Sequence, residues 1–206
     1  MARLGIEAAA EAIAGRGEFN AAFSGGRTPW RMLGHLAEGV GDWDHTALFQ
    51  VDERIAPAGD PARNLTHAVL ALPIERQAAL RPMPVGAGDL EGAAREYEAA
   101  LPDRLDWVHL GIGPDGHTAS LVPGDPVLEV RDRRVAITGT EYQGHRRMTL
   151  TYPALDAARH VVWLVNGADK QDALRRLLDG DETIPAARVA SPEMIVIADR
   201  DAAGSL

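Results

Sequence analysis

Cysteine is absent from the sequence. Disulfides, thiolate catalysis and cysteine-ligated metals are therefore excluded, although the absence by itself identifies no compartment. Long apolar runs are missing too, since no stretch approaches the roughly 18 residues that a membrane span requires. The N-terminal segment is broken by Glu7 and Glu11 where a signal peptide needs an uninterrupted apolar core, so the expected location is cytoplasmic. Positive charge is scarce. Lysine and arginine number 21 against 30 aspartates and glutamates, a formal net charge of −9. That balance argues against nonspecific binding to nucleic acid or to an anionic membrane, and an anionic ligand would need a local basic pocket. There is no fixed-period repeat and no low-complexity tract.

What remains is a globular composition. The 206 residues suit a single domain over 1–206 with a sizeable core, and 46% hydrophobic with 25% charged residues is ordinary for such a domain. Apolar periodicity predicts a helix over residues 3–15 that ends near Gly15 and Gly17. Phe19–Phe23 reads as a strand running directly into Ser24-Gly-Gly-Arg-Thr-Pro29, with Pro29 in the first turn of a helix that reaches about Leu36. A strand over Ala47–Val51 delivers Asp52-Glu-Arg54 at its C-terminal end. Helices follow from about Arg63 to Leu70 and, behind an Asp89 N-cap, through Leu101. The apolar run 107–111 leads into the Gly-rich loop Gly111–Gly124. Runs at 135–138, 148–151, 161–165 and 194–198 are rich in β-branched residues and read as strands, with a helix from Asp169 to Leu178 between the last two. Strands alternating with helices imply an α/β fold with a largely parallel sheet covered on both faces. Ligands of such folds lie beyond the C-terminal ends of the strands. Ser24–Thr28, Asp52–Arg54 and Gly111–His117 all occupy such ends.

Ser24, Gly25, Gly26, Arg27 and Thr28 link a strand to a helix. Glycines let a ligand approach the backbone and the helix start offers free N–H groups to an anion, while the alternative is a tight turn with Thr28 as N-cap. Gly111-Ile-Gly-Pro-Asp-Gly116 matches a dinucleotide fingerprint in letters. Against that reading, Asp115 would set a carboxylate beside a pyrophosphate, and Pro123 arrives too soon for a crossover helix. An imidazole side chain such as that of His117 can take a proton from water, with Asp115 placed to orient its ring. Arg54, Arg147 and Lys170 are the basic candidates, and Lys170 at a helix start departs from the usual dipole preference. The other histidines, at 35, 45, 67, 109, 145 and 160, have no helical metal-ligand spacing, so no metal is expected. Among the tryptophans, all read as packing residues, Trp163 within an apolar strand is the surest core member.

Taken together, Ser24–Pro29, Val51–Arg54, Asn64, Gly111–Gly124, Arg147–Thr151 and Val165–Lys170 resemble the 6-phosphogluconolactonase family, in family order over about residues 5–200. The resemblance implies a Rossmann-like sheet shared with glucosamine-6-phosphate deaminase, and hydrolysis of 6-phosphogluconolactone without a cofactor. It assigns the phosphate to Ser24–Thr28, Arg147 and Lys170. Asp52 and Arg54 fall to the sugar side, with Arg54 alternatively on the phosphate, and His117 and Asp115 become base and orienter. The related deaminases carry Asn-Glu-Pro where this chain has Leu121-Val122-Pro123. Losing that glutamate disfavours a ring-opening, isomerising reaction, and Val122 in place of the more usual Phe implies a reshaped wall. A deaminase of the same fold and a noncatalytic sugar-phosphate sensor are the rival readings.

Overall fold

The computed structural model describes residues 1–204. Helix α1 (Ala2–Arg16) stops where Gly17 turns left-handed at φ 83° and returns its N–H to the Ile13 carbonyl, a conformation that suits glycine. Strand β1 (Phe19–Phe23) follows, then α2 (Arg27–Gly39) and β2 (Thr46–Gln50). Gly26 is the N-cap of α2, so Thr28 lies inside the helix and not at its cap. Next come β3 (Asp52–Arg54), α3 (Asn64–Ala71), the two-residue β4 (Leu80–Arg81) and α4 (Leu90–Ala100). The Asp89 carboxylate accepts from the Gly92 N–H at 2.9 Å, as the N-cap expectation requires. The chain continues through β5 (Trp107–Leu110), β6 (Val135–Ile137), β7 (Arg147–Leu150), α5 (Tyr152–Asp156), β8 (His160–Val165), α6 (Gln171–Leu178), β9 (Met194–Ala198) and α7 (Arg200–Ala203).

Six strands form one sheet in the order β4-β2-β1-β5-β8-β9, every neighbouring pair parallel. Successive residues alternate between its faces. Phe19, Ala21, Phe23, Trp107 and Val162 enter one core with α1 and α2. Ala22, Val108, Leu110, Val161 and Trp163 enter the other with α4, α5 and α6. Burial on both faces is why the central strands read as continuous apolar runs. The chain lays β2 and β4 on one side of β1, then crosses back to place β5, β8 and β9 on the other. The carboxyl ends of β1 and β5 therefore flank a topological switch point, where an open sheet leaves a crevice.

The α/β expectation holds for this sheet but needs one correction. The runs at 135–138 and 148–151 belong instead to a separate three-stranded antiparallel sheet, β3-β7-β6, and Asp52–Arg54 is its third strand. Val51 is the pivot: its N–H donates to the Phe23 carbonyl at 3.1 Å and its carbonyl accepts from the Leu150 N–H at 2.8 Å. Segments of only three or four residues carry no local mark of which sheet they join. Among the described residues no helix is long and apolar enough to cross a membrane.

Candidate active site

A cleft of about 170 Å³ opens at the switch point. Ser24 forms its floor, with the N–H and Oγ both donating to the His109 carbonyl, at 3.3 and 3.1 Å. These two hydrogen bonds tie the end of β1 to β5. Gly25 follows, and a Cβ there would overlap the Asn64 side chain, so only glycine lets α3 close against the loop. Ser24 and Gly25 line the cleft, and Gly26 caps α2. Arg27 and Thr28 are exposed in the first turn of α2 and do not line it.

The second wall is the β3–β7 ladder. Alternation turns Asp52 and Arg54 toward the cleft and Glu53 away from it. Arg54 pairs directly with Arg147 across the strands. Like charges placed opposite are unfavourable, and Asp52 offsets them. Its carboxylate is buried, accepts from Ser120 Oγ at 2.6 Å and Asn64 Nδ2 at 3.2 Å, and lies 3.7 Å from Arg147 Nη1. Burial lowers the pKa of the Arg147 guanidinium, Asp52 opposes that shift, and Arg54 adds to it. Arg147 remains a cation, as arginine does in proteins. Arg54 Nη1 donates to Asn64 Oδ1, whose amide also donates to the Asp52 carbonyl at 2.9 Å. Two guanidinium groups thus share one wall with a single facing carboxylate, an arrangement prepared for an added anion.

The third wall is the loop after β5. Gly113 N–H donates to the His117 carbonyl at 2.8 Å and Gly116 N–H to the Gly113 carbonyl at 2.9 Å, which folds the segment into a compact turn. A Cβ on Gly113 would overlap both the His117 ring and the Asp115 carboxylate. The absence of that atom lets the two meet: His117 Nδ1 lies 2.6 Å from Asp115 Oδ1. Burial, the largest influence, pushes the Asp115 carboxyl up, but the hydrogen bond and charge of His117 hold it below the ordinary carboxylate value. A proton on Nδ1, shared with that carboxylate, would leave Nε2 with its lone pair. Ala119, at φ 50°, completes the rim. Leu121 is fully buried and Val122 does not line the cleft, so the expected reshaping of the wall at 122 is not found.

Of the expected site residues, the cleft gathers Ser24, Gly25, Asp52, Arg54, Arg147 and His117, with Asp115 directly behind His117. Lys170 sits apart, in the turn before α6, where its ammonium is 2.8 Å from Asp169. Asn64, although part of a motif, has no role legible from sequence, yet it bridges Asp52 and Arg54. Ser120 holds Asp52, and its place in the Gly-rich loop was the available signal. Tyr142 carried no sequence signal. Among the described residues no group of histidines and carboxylates is arranged to hold a metal ion.

The fold and cleft define an α/β protein that presents a histidine–aspartate pair beside an arginine-lined cleft. The family model described as glucosamine-6-phosphate isomerases/6-phosphogluconolactonase matches residues 1–197, and the chain belongs to that family. A 6-phosphogluconolactonase of Synechocystis sp. is 36% identical over 95% of this chain and 88% of its own length. A crystal structure of 6-phosphogluconolactonase from Thermotoga maritima superposes with a TM-score of 0.83 at 26% identity, covering 96% of this chain and 94% of that one. A monomeric glucosamine-6-phosphate deaminase shares the fold, with a TM-score of 0.78 at 20% identity over 98% of this chain and 94% of its own.

Proposed function

We propose that this chain hydrolyses 6-phosphoglucono-1,5-lactone to 6-phosphogluconate, the lactonase step of the oxidative pentose phosphate route, with His117 as general base. The observation that carries the reading is the 2.6 Å His117–Asp115 contact at the rim of a cleft walled by Arg54 and Arg147. Both guanidinium groups, with the Ser24–Gly25 turn that lines the cleft, donate hydrogen bonds to the phosphate, which supplies the missing negative charge. Asp52 is held by Ser120 and Asn64 on the sugar side.

The anchored phosphate holds the lactone carbonyl near His117. Nε2 takes a proton from water, and the water oxygen bonds to the carbonyl carbon. Collapse of the tetrahedral adduct breaks the bond to the ring oxygen, which receives the proton from His117. Asp115 keeps the imidazole in the Nδ1–H tautomer and stabilises its transient cation. No cofactor enters the balance. At the sequence positions where the related deaminases carry Asn-Glu, this chain has Leu121 and Val122, neither of which can serve as an acid, and that favours hydrolysis over isomerisation.

His117→Ala is expected to lose hydrolysis above the spontaneous background, about a 10²–10⁴-fold drop for a missing general base, while still binding 6-phosphogluconate. The assay follows acid release from freshly generated lactone. Unchanged turnover would remove His117 from the mechanism. Ammonia release from glucosamine 6-phosphate would instead support a deaminase, and binding without turnover in the unaltered protein would support a sensor.

A further inference from the structure

Tyr142 stands over the site on a hairpin that nothing in the sequence connects to it. The β6–β7 connection ends in a tight turn: Tyr142 N–H donates to the His145 carbonyl at 3.0 Å, and the two intervening residues, Gln143 and Gly144, have φ of 53° and 79°. Positive φ at both central positions is the geometry of a two-residue hairpin turn. Glycine adopts it freely, whereas at Gln143 it costs conformational energy. The base of the hairpin is fixed as well. The Asp125 carboxylate accepts from the Gly139 and Thr140 N–H groups at 3.0 and 2.9 Å and from Thr140 Oγ1 at 2.6 Å. Asp125 directly follows the Gly-rich loop that carries His117, so hairpin and loop are clamped together.

The turn delivers Tyr142 to the two charged parts of the cleft at once. Its hydroxyl donates to Asp115 Oδ2 at 3.2 Å, the carboxylate oxygen that His117 does not use, and lies 3.4 Å from His117 Nδ1. Its ring meets the imidazole edge-on, with centroids 5.1 Å apart and planes at 61°. On the other side the Arg147 guanidinium lies 5.2 Å from the ring centroid, and its Nη2 donates to the Tyr142 carbonyl at 3.1 Å. The charged groups facing this cluster are Asp115 and His117 from the loop after β5, Asp52 and Arg54 from β3, and Arg147 from β7.

We propose that Tyr142 is a positioning residue: it fixes the Asp115 carboxylate through its second oxygen, sets the plane of the His117 ring, and couples that pair to Arg147. The proposal rests on the reading of His117 as the base. A carboxylate held by one partner is free to rotate about its Cβ–Cγ bond. Held at both oxygens, it presents Oδ1 to Nδ1 in one orientation, and Nε2 is then aimed into the cleft. Burial, followed by the charge of Asp115, pushes the Tyr142 phenol up, so the hydroxyl keeps its proton as the donor throughout the neutral range.

Tyr142→Phe keeps the ring, its edge contact with His117 and its face toward Arg147, and removes only the hydroxyl. The expected kcat loss is about tenfold, the scale of one hydrogen bond to a charged group, with KM nearly unchanged. Freed of the donor, the Asp115 carboxylate concentrates more charge on the imidazole. The acidic limb of the pH profile of kcat/KM therefore moves to higher pH. In an Asp115→Asn background the same change should have little further effect. The His117 imidazole titration, followed by NMR in the ligand-free protein, should move upward in Tyr142→Phe, a readout independent of which substrate is turned over. An unmoved titration in a folded Tyr142→Phe protein overturns the positioning role even if the lactonase reading stands. A moved titration with no lactone hydrolysis by the unaltered protein upholds the positioning and overturns the lactonase reading. A rise in KM with kcat unchanged would assign Tyr142 to substrate binding instead.

Discussion

Glu53 shows how a single motif divides its labour. It is fully buried, and its Oε1 accepts from the Asn64 and Arg54 N–H groups at 2.7 and 2.8 Å. Oε2 accepts from the Leu65 N–H at 2.8 Å and Gln50 Nε2 at 2.9 Å, with Arg63 Nε at 3.5 Å. The carboxylate thus caps the start of α3, satisfying N–H groups that have no partner within the helix and meeting the positive end of its dipole. Glu53→Ala leaves those donors and Arg63 unpaired. The expected loss is about 3–5 kcal/mol of stability, the range for breaking a buried ion pair, read from the shift of the urea midpoint. Its neighbours Asp52 and Arg54 face the cleft, and there Arg54 is the cleaner probe of the phosphate site. Replacing Arg147 would strand Asp52 in the interior, whereas Arg54 is only half-buried. Arg54→Gln should raise KM by about ten- to a hundredfold, the equivalent of one or two charge-assisted hydrogen bonds, with a smaller effect on kcat. A fall in kcat at constant KM would place Arg54 on the reacting centre rather than on the phosphate.

At the scale of the element, the Gly-rich loop is a device for bringing a carboxylate and an imidazole together two residues apart. Gly113 is the position that permits it, since the space its missing Cβ leaves is filled by the His117 ring and the Asp115 carboxylate. Gly113→Ala should force the ring out of place and lower kcat by about tenfold or more, because small displacements of a catalytic group carry large rate penalties. Far-ultraviolet circular dichroism and the unfolding midpoint should change little, since the core beneath is formed by Val108, Leu110 and Leu121. Normal activity in that variant would mean that the observed loop geometry is not the working one.

For the molecule as a whole, the buried histidine of β5 is expected to add to the loss of stability in acid. His109 is completely buried, and burial lowers its pKa to about 3. In the unfolded chain the imidazole takes up a proton below its ordinary value near 6.5. The folded protein excludes that proton, so the stability contributed is full above about pH 6.5 and is lost as pH falls toward 3. His109→Leu should move the acid-unfolding midpoint, followed by tryptophan fluorescence, to lower pH; an unchanged midpoint would assign acid unfolding to the carboxylates alone. His109 was one of several unassigned histidines in the sequence, and only the folding of both cores around β5 gives it this role. The same boundary separates the rest. Strand runs, the Gly17 stop, the Asp89 cap and the polar motifs at strand ends were legible because apolar periodicity, caps and glycine geometry act between near neighbours in the chain. The split of β3, β6 and β7 into a second sheet, the bridging of Asn64 between Asp52 and Arg54, and the arrival of Tyr142 over Asp115 were not. Each depends on contacts between distant segments, whose free energy comes from burial and cross-strand pairing that no local pattern encodes. The sequence by itself determined which chemical groups stand at the strand ends; the tertiary structure decided which of them face one another, because only the switch point between β1 and β5 and the pivot at Val51 bring those ends into one cleft.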